Sequence, residues 1–90
     1  MIIIGEKLNG AIPIVKAAIS ERNSELIRTR AKSQADAGSH FLDCAPSTSP
    51  EEEYDAMVWM IQEIQAVTEV PICIDSPNAK LLARILEEGH

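Results

Sequence analysis

The sequence predicts an α/β protein built on parallel strands. Short, wholly apolar, β-branched runs at Met1–Ile4 and Val70–Ile74 alternate with stretches of helical periodicity. The element order is strand, helix, strand, helix, strand, helix, with one extra helical piece after the first strand. Turn and capping residues mark each change. Such alternation implies parallel strands joined by right-handed crossovers, with the strands buried on both faces.

The first strand is Met1–Ile4, stopped by Gly5, and Glu6–Gly10 reads as a loop. Ile12, Val15 and Ile19 then fall at helical spacing, with Pro13 tolerated in the first turn. Asn23 or Ser24 can cap a helix that runs to about Ala37, with Ile27, Ala31 and Ala35 as its apolar face and Gly38 as its stop. His40–Cys44 is the second strand, and Ala45–Pro50 a loop. Ser49-Pro50-Glu51-Glu52 has the form of a capping box, and Glu51–Glu53 suit the positive end of the helix dipole. That helix continues to about Thr68 along Met57, Met60, Ile61, Ile64 and Val67. Val70–Ile74 is the third strand, with Pro71 tolerated near its start. Asp75–Asn78 turns into a last amphipathic helix through Leu81, Leu82, Ile85 and Leu86, ended by Gly89.

Ninety residues allow one small domain, and 46% hydrophobic with 24% charged residues is a globular composition. A net charge of −6 and only three aromatic residues exclude the basic, stacking surface of a general nucleic-acid binder or an anionic-membrane binder. No apolar run is long enough to cross a membrane, and Gly5-Glu6-Lys7 interrupts any secretory core at the start. Two cysteines make no disulfide framework, so a reduced cytoplasmic setting is expected.

In parallel α/β folds, ligands bind beyond the carboxyl ends of the strands. Each predicted strand here runs into an acid at that end: Glu6, Asp43 and Asp75. Strand alternation places Ile2, Ile4 and Glu6 on one face, groups Phe41 with Asp43, and groups Cys73 with Asp75. Three carboxyl groups then converge on one mouth, where acids can also serve merely to cap loops and helices. Carboxylates at a site bind hard cations, act as acid or base, or accept N–H bonds. No His pair or Asp-x-Asp run supports a metal. A buried Asp taking two parallel N–H bonds fits an amino-pyrimidine edge. Asn9 and Asn78 share the same loops as candidate ligand contacts, with turn or capping roles as the competing reading. Cys44 and Cys73 fall on opposite faces and read as small core residues, since no His is placed to activate either. No phosphate-binding glycine loop is present.

Ile4-Gly5-Glu6-Lys7-Leu8-Asn9-Gly10, Leu42-Asp43 and Pro71-Ile72-Cys73-Ile74-Asp75-Ser76 together resemble the pterin-binding methyltransferases, above all the methyltetrahydrofolate:corrinoid protein methyltransferases. Dihydropteroate synthases and the folate module of cobalamin-dependent methionine synthase are more distant relatives. The resemblance covers the whole chain in order. It implies a (β/α)8 TIM barrel of about 250 residues or more. Residues 1–90 are then its N-terminal part, the first three βα units of an incomplete barrel. Glu87-Glu88-Gly89-His90 resembles the Asp36–His40 lead into the second strand, as though a fourth strand should follow. The resemblance implies methyl transfer between N5 of tetrahydrofolate and a cobalamin carried by a partner corrinoid protein. It assigns Asp75 to the amino-pyrimidine edge and places Glu6, Asn9 and Asp43 at the barrel mouth, with no catalytic residue in this chain. Where the family often has Asn, two places after the second-strand acid, this chain has Ala45.

Two other readings compete. Three strands leave apolar edges at Met1–Ile4 and Val70–Ile74, which suits a small assembly module: a homo-oligomer, or one whose partner supplies the remaining strands. A dihydropteroate synthase-like enzyme is the milder alternative, but Ala11-Ile12-Pro13 does not resemble that group's Ser- and Gly-rich loop.

Overall fold

The computed structural model describes residues 1–89. Three parallel strands form an open sheet in the order β1-β2-β3, with β1 at Ile4–Gly5, β2 at Phe41–Cys44 and β3 at Ile72–Ile74. Four helices fill the connections: α1 Pro13–Glu21, α2 Ser24–Asp36, α3 Pro50–Gln65 and α4 Ala79–Glu87.

Register follows side-chain parity. Ile4 pairs with Phe41, Leu42 with Ile72, and Asp43 with Cys73. One face therefore carries Gly5, Leu42, Cys44, Ile72 and Ile74. It packs against a core of Val15, Ile27, Ala31, Met57, Met60, Ile64 and Ile85 from all four helices. The other face carries Ile4, Phe41, Asp43 and Cys73, none of them fully buried. The expectation of strands buried on both faces thus fails, because every helix covers the same side.

β1 also differs from its expected span. Met1–Ile3 lie outside it, and Met1 and Ile2 are exposed. The Ile3 carbonyl still accepts from His40 N and Phe41 N. An apolar run says where burial is favourable, but at a sheet edge pairing on one side sets the strand's limits. β2 starts one residue late at Phe41, and β3 begins after Pro71, which gives only its carbonyl to Leu42 N. α3 ends at Gln65, short of Thr68, though Val67 still packs on the core.

Caps explain the helix starts. Asn23 Oδ1 accepts from Leu26 N, and Asn78 Oδ1 from Lys80 N and Leu81 N. The capping box expected at Ser49 does not form. Its side chain makes no cap bond, and its backbone carbonyl receives both Glu52 N and Glu53 N at 3.0 Å. Gly38, at φ +97°, gives the left-handed residue just past α2 that its spacing predicts.

Candidate functional site

The site is built where the strands end. Asp43 is the penultimate residue of β2 and half-buried on the uncovered face. Glu6 follows β1 directly and Asp75 follows β3, both exposed. Asp75 N donates to Cys44 O at 3.0 Å, so its backbone continues the β2–β3 ladder one step past the strand. The Asp43 carboxyl is pushed above its usual 3.8, first by burial, then by the charge of Asp75, then by that of Glu6. The three acids share one electrostatic neighbourhood. They are not a chelate, for among the described residues no three His, Cys, Asp or Glu side chains gather tightly enough to hold a metal ion.

Asn9 joins this face through an irregularity. Gly5 pairs with Leu42 and Asn9 with Ala45, which is four steps along the first segment against three along the second. The extra residue is a bulge, and it reverses the side-chain alternation beyond it. By simple alternation Asn9 would oppose Glu6. By its pairing with Ala45 it shares the parity of Asp43. Its Oδ1 accepts from Ala11 N at 2.8 Å and from Ser47 Oγ at 3.2 Å, tying the loops after β1 and β2 together.

Two glycines make that arrangement possible. A Cβ on Gly10 would run into the Pro46 carbonyl oxygen, and Gly10 N donates to Ala45 O at 2.7 Å. A Cβ on Gly5 would collide with the Gln34 side-chain carbonyl and come within 3.0 Å of Leu42 Cδ2. Gln34 needs that space. It is buried, its Oε1 accepts from Lys7 N at 3.0 Å, and its Nε2 donates to Arg30 O at 3.3 Å. It thereby satisfies a backbone N–H that the bulge leaves outside the ladder.

The loop bearing Asp75 is held from α3. Ser76 Oγ donates to Glu53 Oε2 at 2.9 Å and accepts from Asn78 N at 3.0 Å. Asn78 spends its oxygen on capping α4, and the structure places it beside Pro50, Glu53 and Lys80 around a cavity of about 420 Å³. It stands in the same loop as Asp75 but not within the acidic group itself.

Gln34, Glu53 and Ser76 were not among the residues that sequence reasoning singled out. A signal existed for the first two. Gln34 continues the Ile27, Ala31 stripe, and Glu53 begins the Met57, Met60, Ile64 stripe, so each is a polar residue at a core position and requires a partner.

Cys44 fits its expected structural role. It is fully buried, its Sγ lies 3.6 Å from Met57 Sδ and 3.9 Å from Met60 Sδ, and burial, followed by the Asp43 charge, pushes its thiol up to about 12. That thiol is no nucleophile at neutral pH. Cys73, half-buried, lies on the opposite, uncovered face.

Among the described residues no helix is long and apolar enough to cross a membrane. No protein-family model matches the chain. Over 85 residues, 94% of its length, the chain is 49% identical to a methylcorrinoid:tetrahydrofolate methyltransferase of Eubacterium limosum. The match covers 31% of that protein, so the chain spans about a third of the length of the curated relative it matches.

Proposed function

We propose that this chain is the pterin-holding, N-terminal portion of a (β/α)8 methyltransferase that moves a methyl group between a corrinoid protein and N5 of tetrahydrofolate. The observation that carries the reading is the convergence of Glu6, Asp43 and Asp75 at the carboxyl ends of parallel strands, on the face no helix covers. The 49% identity to a protein named for this reaction supports it.

The acceptor set suits a pterin head group, whose amino-pyrimidine edge presents adjacent N–H donors. The Asp75 carboxylate accepts from that edge, its backbone held by the ladder and its loop by the Ser76–Glu53 bond. Asp43 adds a second acceptor beside it, its carboxyl made harder to ionise by burial and by the neighbouring Asp75 and Glu6. Asn9 adds an amide beside them, and Glu6 and Asn78 stand at the rim. Tetrahydrofolate supplies the N5 that takes or releases the methyl group. The side chains of this chain bind and orient the ring and react with nothing. Three strands cannot enclose a ligand, so turnover needs the rest of a barrel and the corrinoid partner. The cytoplasm is the compartment proposed, with both thiols kept reduced.

The test grafts residues 1–90 into the matching segment of the Eubacterium limosum relative and titrates tetrahydrofolate. The graft should bind, and Asp75→Ala should weaken binding by roughly tenfold to a hundredfold, as expected for loss of hydrogen bonds to a charged acceptor. Equal affinity of a folded Asp75→Ala graft refutes the reading.

A further inference from the structure

Lys7 stands in the middle of the bulge, which carries its peptide groups out of the ladder, and α2 takes up both of them. Gln34 Oε1 accepts from Lys7 N at 3.0 Å, and Arg30 Nη1 donates to Lys7 O at 3.3 Å. The two side chains lie one helical turn apart, and Gln34 Nε2 donates back to Arg30 O at 3.3 Å, so the clamp is braced within its own helix. Gly5 makes its seat, because a Cβ there would collide with the end of the Gln34 side chain. What flanks Lys7 gives the bulge its importance. Leu8 follows it into the core, fully buried, and Asn9 comes next, paired with Ala45 on the side of Asp43. An unbulged strand would turn Leu8 to the mouth and send Lys7 into the core. Burial of Leu8 therefore favours this register, and the register leaves one peptide to be held from elsewhere.

From this arrangement we infer that Gln34 is a positioning residue for the folate site: with Arg30 it holds the bulged peptide at Lys7, and through that peptide it fixes Asn9 beside Asp43. Gln34 itself is 7% exposed and spends its amide on backbone groups, so it acts on the ligand only through the loop. The Lys7–Gln34 bond is only partly buried. Without Gln34 the Lys7 N–H can find water if the loop opens, so the loss falls on the placement of Asn9 as well as on stability. The inference rests on the folate reading, which makes Asn9 a ligand contact. Every residue it uses lies between β1 and the end of β2, so closing a barrel around this segment keeps each contact in place.

The Eubacterium limosum graft carries the test, with circular dichroism as the folding control. Gln34→Met keeps the volume and removes the acceptor. Gln34→Glu keeps the acceptor, with Arg30 one turn away to balance its charge. Titration with tetrahydrofolate should find Gln34→Met about threefold to tenfold weaker, and Gln34→Glu within about twofold of the parent. Coupling identifies the route. Added to Asn9→Ala, Gln34→Met should weaken binding little further, because the amide it places is already gone. Added to Asp75→Ala, whose loop is held from α3, its effect should multiply. Gly5→Ala, which drives the Gln34 amide off Lys7 from the other side, replaces Gln34→Met if that variant does not fold. A folded Gln34→Met graft that binds like the parent overturns the inference. So does one whose effect multiplies with that of Asn9→Ala as fully as with that of Asp75→Ala. Hydrogen exchange at the Lys7 amide, read without ligand after isotope labelling of lysine, separates the clamp from the folate reading. The amide should be protected in the parent and exchange roughly tenfold faster in Gln34→Met. An amide unprotected in the parent, or unchanged in the variant, overturns the clamp. A parent graft that fails to bind tetrahydrofolate refutes the folate reading instead, and exchange alone then decides the clamp.

Discussion

Gly10→Ala is the sharpest probe of how the mouth is assembled. The added methyl would overlap the Pro46 carbonyl oxygen and crowd Ser47 Cβ at 3.3 Å. The first obstacle is backbone and cannot rotate away, so the two loops must separate. Overpacking of this kind costs about 1–3 kcal/mol. Separation also lengthens the 2.7 Å bond from Gly10 N to Ala45 O, worth about 1 kcal/mol more. The total of about 2–4 kcal/mol is a large part of the stability a domain this small holds. Urea unfolding followed by circular dichroism measures it, and with a slope of about 1–2 kcal/mol per M the midpoint should fall by about 1–4 M. Gly38→Ala is the control. It meets open space and carries only the strain of φ +97°, about 1 kcal/mol. If Gly10→Ala unfolds at the parent's midpoint, or costs less than Gly38→Ala, the claim that this glycine permits the loop contact is wrong.

Two further outcomes follow from the titrating groups. The raised Asp43 carboxyl means that the native state holds more protons than the unfolded chain between pH 3.8 and its elevated value, so stability falls as pH rises through that window. Asp43→Asn should therefore be more stable than the parent at pH 7 and lose that advantage below pH 3.8, as read from thermal melts across pH. A thiol reagent such as dithionitrobenzoate should label Cys73 in the native chain and leave Cys44 unreacted until denaturant is added; prompt reaction of both would contradict the buried, high-pKa setting of Cys44.

The element order and the strand-end acids were legible because they rest on short-range rules. Periodicity located all four helices, Asn23 and Asn78 cap as their residue type suggests, and period-two alternation put Asp43 on the face opposite Cys44. What escaped depends on contacts between distant segments. The bulge at Glu6–Leu8 exists because Ala45 meets Asn9 rather than Leu8, and no local pattern encodes that register. Glu53, expected with Glu51 and Glu52 to serve the helix start, is also buried and accepts from Ser76 Oγ, a partner 23 residues along the chain. The strand expected at Met1–Ile4 is shorter and shifted, to Ile4–Gly5, because its limits are set by which residues pair with Phe41 and Leu42 and not by the apolar run.

Parity along β2 and β3 also divides the labour of evolution. Even positions Leu42, Cys44, Ile72 and Ile74 face the helices, so exchanging them disturbs the interior. Odd positions Phe41, Asp43 and Cys73 face away from that helix-packed core, so a change at Asp43 alters the ligand-facing side without disturbing the packing beneath. A lineage can thus revise what it grips while inheriting the same scaffold, one alternate residue at a time.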